Sequence, residues 1–126
     1  MSEFAGNAKR KAAFRLGVSA ENAAAIFLAA KGYRTIARRW KSPAGEIDLV
    51  VKRGRLIVFV EVKARKGFDE AAESMLPRQR RRIVAAAEAW LAAHPQHAGY
   101  DMRFDAILVA PGRMPRHIVS AFEADC

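Results

Sequence analysis

Cysteine, long apolar runs and acidic residues are all scarce in this sequence. Its single cysteine, Cys126, excludes an internal disulfide and fits a reducing cytoplasm. The longest apolar run, Ala23–Ala30, is far too short to span a bilayer. Residues Met1–Arg15 include basic side chains but no apolar segment of the kind that a secretory signal needs. We therefore expect a cytoplasmic protein with no membrane partner.

Repeats, low-complexity tracts and linkers rich in proline or serine are also lacking. A chain of 126 residues without such boundaries fits one domain that can bury its own core. Residues 1–17 are polar and basic, and we expect this N-terminal segment to be partly disordered. The single folded domain is expected over residues 18–126.

Positive charge is in large excess. Twenty-two lysines and arginines stand against thirteen aspartates and glutamates, which gives a net charge of +9 and a pI near 10.4. Such an excess favours a polyanionic partner, because each neutralised phosphate releases condensed counterions. Nucleic acid is the expected partner and an anionic membrane surface a distant second. Charge that serves only solubility is the alternative.

The hydrophobic pattern predicts an α/β fold in which helices flank a mixed sheet. A first helix starts at Ser19, a good N-cap, and ends near Lys31, before Gly32. A second helix starts at Pro77, a favoured first-turn residue, and runs to Ala93. The predicted strands are, in chain order, Tyr33–Trp40, Glu46–Val51, Leu56–Ala64, Arg103–Ala110 and a weaker Arg116–Phe122.

Charged residues interrupt two of these strands, in the segments GEIDLV and VFVEVKAR. Successive side chains of a strand point to opposite faces of the sheet. In the first segment, Glu46 and Asp48 should therefore share one face, while the apolar Ile47 and Leu49 take the other. The two acids need an explanation, because the surrounding residues are those of a buried strand.

A short turn between these strands predicts which residues meet. A two-residue loop at Gly54–Arg55, with glycine first as a type II′ turn prefers, pairs Arg53 with Leu56. Counting back in this register sets Asp48 directly opposite Glu61. A four-residue loop would shift the partner but keep the face, and only a three-residue loop would separate the two acids.

Two neighbouring carboxylates are costly unless something compensates their charge. They repel by roughly 0.2–1 kcal/mol on an open sheet, and by more when partly buried. A divalent cation removes this cost, and Mg²⁺ typically uses one or two carboxylates plus phosphate oxygens. The alternative is a solvated face on which Lys63, two residues after Glu61, simply pairs with it. The residue pattern alone leaves both open.

Both predicted helices add polar residues to an inward stripe. Glu21 begins the stripe of the first helix and is a third carboxylate for the same site, unless it only complements the helix dipole. Gln79 begins the stripe of the second helix, and a plain surface glutamine is the alternative. Four arginines in the first turns of that helix oppose its dipole, so phosphate contact explains them better than helix stability, with a solvated basic face as the alternative: Arg78, Arg80, Arg81 and Arg82.

These residues together resemble a known family. An acid on a first helix, then Asp48, then Glu61-Val62-Lys63, is similar to the PD-(D/E)xK nuclease superfamily. More closely, SAENAAAIFLAAKGYRTIARRW, GEIDLV, VFVEVKAR, RQRRRI and RFDAILV resemble the bacterial YraN family, described as predicted endonucleases similar to archaeal Holliday-junction resolvases. The resemblance spans about Ser19 to Ala110. Glu46-Ile47 stands where the superfamily's proline would precede Asp48, which leaves the role of Glu46 open.

The resemblance implies a restriction-endonuclease-like αβββαβ core and a metal-dependent endonuclease that hydrolyses DNA, with a preference for branched or junction structures. Asp48, Glu61 and the backbone carbonyl of Val62 would bind Mg²⁺ or Mn²⁺. Glu21 would hold a second metal or an outer water. Lys63 would orient or deprotonate the attacking water, or stabilise the pentavalent phosphorane.

The expected contacts to nucleic acid complete this hypothesis. Gln79 would assist catalysis by touching Lys63 or a phosphate. Phosphate contacts are expected from six basic residues: Arg65, Lys66, Arg78, Arg80, Arg81 and Arg82. The rival hypothesis is a nucleic-acid-binding module that keeps the fold without cutting, although a pure binder has no need for two acids and a lysine at one place. Homodimer formation is left open.

Other candidate residues carry less chemistry. His94, His97 and His117 lack ligand spacing with any cysteine and are expected at the surface. Arg103 and Asp105 alternate on one strand face and are expected to form a structural pair. The sequence contains no Ser/His/Asp set, P-loop or dinucleotide-binding fingerprint.

Overall fold

The structure is a computed structural model that describes residues 20–64 and 77–122. Helix α1 occupies residues 20–30. It is followed by β1 (Arg34–Ser42), β2 (Gly45–Arg53), β3 (Leu56–Ala64), α2 (Pro77–Ala93), a 3₁₀ turn (Pro95–His97), β4 (Asp101–Val109) and β5 (Arg116–Ile118). The predicted N-terminal segment, the N-cap Ser19, the phosphate contacts Arg65 and Lys66, and Cys126 lie outside the described residues.

The five strands form one mixed sheet in the order β1-β2-β3-β4-β5. β3 and β4 run parallel, and the other neighbouring strands run antiparallel. A parallel pair needs a crossover connection, and α2 lies in the connection between these two strands. The predicted order of elements is confirmed, and the α/β architecture is consistent with a restriction-endonuclease-like core.

Each face of the sheet buries its own apolar cluster. On one face, α1 contributes the predicted stripe of Ala24, Ala25 and Leu28, which packs with Tyr33 and with Leu49, Val51, Val58, Val60 and Ile107. On the other face, α2 contributes Ala86, Ala87 and Trp90, which pack with Ile47, Val50, Ile57 and Phe59. The edge of the Trp90 ring meets Phe59 at 5.8 Å. Burial on both sides explains why β2 and β3 are almost continuously apolar.

The predicted β2–β3 turn is confirmed. Arg53 pairs with Leu56, and the register continues through Leu49 opposite Val60. Gly54 has a φ of +62°, whereas Arg55 is not among the residues of positive φ, and this combination fits the predicted type II′ turn. The same register therefore brings Asp48 to the position opposite Glu61.

The predicted alternation fails at one end of β2. Ile47 packs on the α2 face and Leu49 on the α1 face, although the pattern had placed both on one face. The hydrogen-bonded register between β2 and β3 ends at Leu49, whereas β2 stays paired with β1 as far as Gly45. This end of β2 is held from one side only and is free to twist.

Four of the five predicted strands differ from the structure in at least one bound. β2 starts one residue earlier than predicted, at Gly45, and ends two residues later, at Arg53. β1 continues two residues further, to Ser42, whose hydroxyl accepts the backbone N–H of Ala44 and Gly45 and so closes the turn. β4 begins two residues earlier, at Asp101. β5 ends at Ile118, because Ser120 adopts a positive φ of 52° and donates its N–H to a side chain, not to a strand. Within the described residues, no helix is long and apolar enough to cross a membrane.

Candidate active site

The sheet opens at the point where its charged residues lie. Beyond Leu49 and Val60, the Asp48 side chain takes over the role of a backbone partner: its Oδ2 accepts the N–H of Val62 at 2.8 Å. The strands therefore part without leaving this amide unsatisfied, and the Asp48 carboxyl is fixed beside β3.

Asp48 and Glu61 form a close pair of acids. Burial, followed by the charge of Glu61, raises the pKa of Asp48 from 3.8 to about 8, although the hydrogen bond from Val62 opposes the change. In the metal-free protein, Asp48 therefore keeps a proton at neutral pH, and this proton relieves the repulsion.

Glu61 is held by a cation and an amide. Lys63 Nζ lies 3.0 Å from Glu61 Oε1, and Gln79 Nε2 donates to the same oxygen at 3.1 Å. The side chains of Glu61 and Lys63 are only 8% and 10% exposed. The alternative of a solvated face is therefore wrong, since the predicted ion pair exists but is buried. Gln79 contacts Glu61 and not Lys63.

These acids line a pocket of about 330 Å³ between the open end of β2–β3 and the first turns of α2. Its walls are Gly45, Glu46, Asp48, Glu61, Arg78, Gln79, Arg82 and Ile83. Lys63 is buried behind Glu61 and is not part of this lining. The pocket thus places acids beside two arginines, an arrangement that suits an anionic group bridged to the acids by a cation.

The four predicted arginines of α2 separate into two groups. Arg78 and Arg82 line the pocket. Arg80 does not line it, and its guanidinium lies 6.0 Å from the Phe122 ring with a buried Nε that has no hydrogen-bond partner within the described residues. Arg81 is exposed on the outer surface of the helix. Helical spacing explains the division, because residues four apart share a face and their neighbours do not.

Glu21 lies near this site but has its own partner. Its charge contributes to the raised pKa of Asp48, as the smallest of the causes. Its Oε2 accepts a hydrogen bond from Arg39 Nε at 2.8 Å. Within residues 20–64 and 77–122, no group of three or more Asp, Glu, His or Cys side chains is arranged to hold a metal ion. The structure assembles a pair of acids with Glu21 at its edge.

The Asp48–Glu61 pair nevertheless fits a divalent cation. Two carboxyl groups lie together in a partly buried place, where a cation would offset the repulsion between them. Mg²⁺ needs only one or two carboxylates, because water and phosphate oxygens supply its other ligands. The backbone of Val62, which contacts Asp48, is close enough to the pair to belong to the same site.

Two residues of the site were missed in the sequence. Arg39 lies between the pairs Arg38–Leu49 and Trp40–Ile47, hence across from Asp48, and has a φ of +48° that no residue pattern announces. Gly45 looks like a turn glycine, but a Cβ there would lie 3.0 Å from the Arg82 carbonyl oxygen. This glycine lets α2 approach β2.

A second polar cluster lies on the α1 face, and it corrects a prediction. Arg103 donates from Nε and a terminal nitrogen to Asp105, which confirms their structural pairing, and it also reaches Tyr33. His117 Nε2 lies 2.6 Å from Asp105 Oδ2, and its side chain is only 3% exposed. The expectation of a surface histidine was wrong, because no spacing rule reveals a partner twelve residues away on the neighbouring strand.

Comparison with known proteins places the chain among proteins of undescribed activity. A family model described as "Uncharacterised protein family UPF0102" matches residues 20–109. A "UPF0102 protein" of Rhodopseudomonas palustris strain BisB5 is 61% identical over 116 residues, which cover 92% of this chain and 88% of that protein. A relative from Bradyrhizobium diazoefficiens is 57% identical, with 92% and 87% covered. One from Nitrobacter winogradskyi is 55% identical, with 91% and 98% covered.

Proposed function

This chain belongs to the uncharacterised protein family UPF0102, the YraN family of the predicted resemblance, and we propose that it is a metal-dependent endonuclease that hydrolyses phosphodiester bonds in DNA. The observation that carries the proposal is the group at the open end of β2–β3, in which half-buried Asp48 lies beside the buried Glu61 and Lys63. Placing a second acid beside a buried ion pair is costly, and a binding surface does not require it.

The residues of the site would have different roles in catalysis, which follow from their positions. Asp48, Glu61 and the carbonyl of Val62 would hold Mg²⁺ or Mn²⁺. Such an ion lowers the pKa of bound water and neutralises charge on phosphate oxygens. Lys63 supplies a positive charge near the reacting phosphate and can orient a water molecule. Gln79 keeps Glu61 in place, and Arg78 and Arg82 bind flanking phosphates from the α2 side of the pocket.

A non-catalytic DNA-binding module is the second candidate, and one observation favours it. Glu61 is already neutralised by Lys63 and bonded to Gln79 without any metal. A site that is satisfied in this way can persist as a structural feature while the arginines retain affinity for phosphates.

Cleavage assays on branched, flapped and linear DNA separate the two candidates. We expect cleavage with Mg²⁺ or Mn²⁺ and none with EDTA. Asp48→Asn and Lys63→Met should abolish cleavage while DNA binding persists, because each removes a group of the site without removing a phosphate contact. Asp101→Asn, which changes an exposed aspartate at the start of β4, is the matched control and should cut like the wild type. If the wild type cuts none of these DNAs with either metal, the endonuclease is rejected and the DNA-binding module is the candidate that stands.

A further inference from the structure

A second concentration of positive charge lies at the other end of the sheet, around the β2–β3 turn. We call it the hairpin-end surface, and it consists of Arg34, Lys52, Arg53 and Arg55. Arg34 and Lys52 are directly paired across β1 and β2, so two like charges stand side by side. Three of the four side chains are exposed, and Lys52 is half-buried.

Among the residues that the structure describes, no acid balances these charges. Within the described residues, none of the four cations forms a salt bridge. Asp101 lies beside the turn, since its backbone N–H donates to the Arg55 carbonyl, but its carboxylate forms no salt bridge there either. Like charges placed opposite each other on a sheet destabilise it. An arrangement that opposes folding needs another explanation.

Aromatic rings hold three of these cations in fixed places. The Arg53 guanidinium lies 4.2 Å from the centre of the Tyr33 ring. Arg55 and Lys52 lie 4.7 and 5.2 Å from the centre of the Tyr100 ring. A cation that is already ordered over a ring loses less conformational entropy when it binds an anion. The turn therefore presents preorganised positive groups on both faces of the sheet.

The chemistry and spacing fit the phosphate backbone of a nucleic acid. The four cations are spread over a convex turn, which suits a polyanion better than a single small anion. Along β2, Arg53 is five residues from Asp48, a separation of about 17 Å at roughly 3.4 Å per residue. Phosphates of one DNA strand recur about every 3.4 Å along the duplex axis, so the distance corresponds to about five phosphates.

We propose that the hairpin-end surface is a second phosphate-binding surface, which contacts the same DNA as the Asp48–Glu61 pocket but at the opposite end of the β2–β3 hairpin. The proposal rests on the DNA-binding part of the proposed function. It requires a DNA that is longer than the pocket alone would need. DNA that reaches both ends of the hairpin binds more tightly than DNA that reaches one.

The salt dependence of DNA binding tests this surface. Full-length protein is titrated against a fluorescent 30-base-pair duplex at several KCl concentrations, without divalent metal. The Arg53→Gln/Arg55→Gln variant should lower the log–log slope by up to about 2, near 0.9 for each lost phosphate contact, and lower affinity at 0.1 M salt on the order of tenfold or more. The Arg113→Gln/Arg116→Gln variant is the matched control, because it removes two exposed arginines from the β4–β5 side and leaves the same net charge.

Each outcome decides between the surface and a rival. Equal losses in both double variants would reduce the effect to net charge and overturn the proposal. The proposal would also be overturned if Arg53→Gln/Arg55→Gln kept the wild-type log–log slope of DNA affinity against salt. It would likewise be overturned if this variant bound DNA normally but no longer bound phosphatidylserine vesicles. If Arg53→Gln/Arg55→Gln melts early, Arg34→Gln/Arg53→Gln repeats the test. A wild type that binds DNA without cutting would reject the nuclease and leave this surface standing.

Discussion

Asp105 shows at the scale of one residue how a buried charge is tolerated. It is fully buried, yet it accepts hydrogen bonds from Arg103, from the Ser120 N–H and from His117. Burial alone would raise the pKa of Asp105, but these bonds outweigh burial and lower the pKa below 3.8. The carboxylate therefore joins β4, β5 and the following turn only as long as it is charged.

We expect Asp105→Asn to lower the free energy of unfolding at pH 7 by about 2–4 kcal/mol, because it leaves Arg103 partly buried without its partner. Urea denaturation followed by circular dichroism measures the change, with exposed Asp101→Asn as control. A group with a depressed pKa stabilises the fold above its unfolded pKa of 3.8 and loses that contribution as the pH falls further. The difference in the free energy of unfolding between Asp105→Asn and the wild type should therefore become smaller below about pH 4.

Asp48 changes the stability of the fold with pH in the opposite direction to Asp105. Because its pKa is raised to about 8, the metal-free folded protein keeps a proton between about pH 4 and pH 8 that the unfolded chain has released. The contribution of this group to stability therefore falls as the pH rises through that window. In EDTA, the free energy of unfolding of Asp48→Asn should rise relative to that of the wild type by about 3–4 kcal/mol from pH 5 to pH 8.5. Parallel stability curves would contradict the raised pKa.

The contacts of the charged residues differ in how far the sequence alone predicts them. The Asp48–Glu61 contact was predictable, because the two-residue turn fixes the pairing of β2 with β3 as far as Leu49 and Val60, the residues next to the two acids. The Glu21–Arg39 pair was not, since it joins a helix to a strand residue of positive φ. His117 was misjudged for a related reason: its partner is reached through strand pairing that no local pattern encodes.

Helix and strand boundaries were predictable where one signal dominated. β3 and α2 have the predicted bounds, because β3 starts directly after the Gly54–Arg55 turn with five apolar residues and α2 lies between prolines near both ends. β1 and β5 deviate because side-chain bonds of Ser42 and Asp105 decide where they end. The twist of β2 at Ile47 follows from the loss of pairing with β3, which alternation along one strand cannot reveal.

The distance between α2 and β2 depends on Gly45. A methyl group there would lie 3.0 Å from the Arg82 carbonyl oxygen, so in Gly45→Ala the backbone of α2 at Arg82 must give way by a few tenths of an ångström. We expect a loss of about 1–3 kcal/mol in stability, together with a larger loss of cleavage, because Gln79 would move away from Glu61. Gly54→Ala is the matched control: it also has a positive φ, but nothing lies within 4 Å of the added carbon. Equal cleavage by both variants would contradict this role of Gly45.

The molecule as a whole should become more stable when the site binds metal. An ion that binds only the folded state adds about 1.4 kcal/mol at ten times its dissociation constant, which raises the melting temperature by a few degrees. Mg²⁺ or Mn²⁺ should produce this shift in the wild type and not in Asp48→Asn. Mn²⁺ titration followed by differential scanning fluorimetry measures it, with Na⁺ at equal ionic strength as control. A shift of equal size in the variant would place the metal elsewhere.

The bond between the Val62 N–H and the Asp48 carboxylate has a consequence for amide hydrogen exchange. The Val62 amide should exchange slowly in the wild type, and slowly again in Asp48→Asn, whose side-chain oxygen can accept the same bond. In Asp48→Ala the Val62 amide would lose its acceptor and exchange much faster. The amides in the stretch of β2 that pairs with β3, from Leu49 to Arg53, should stay protected. Alanine at this position therefore removes a backbone anchor together with the acid, whereas asparagine removes the acid and keeps the anchor.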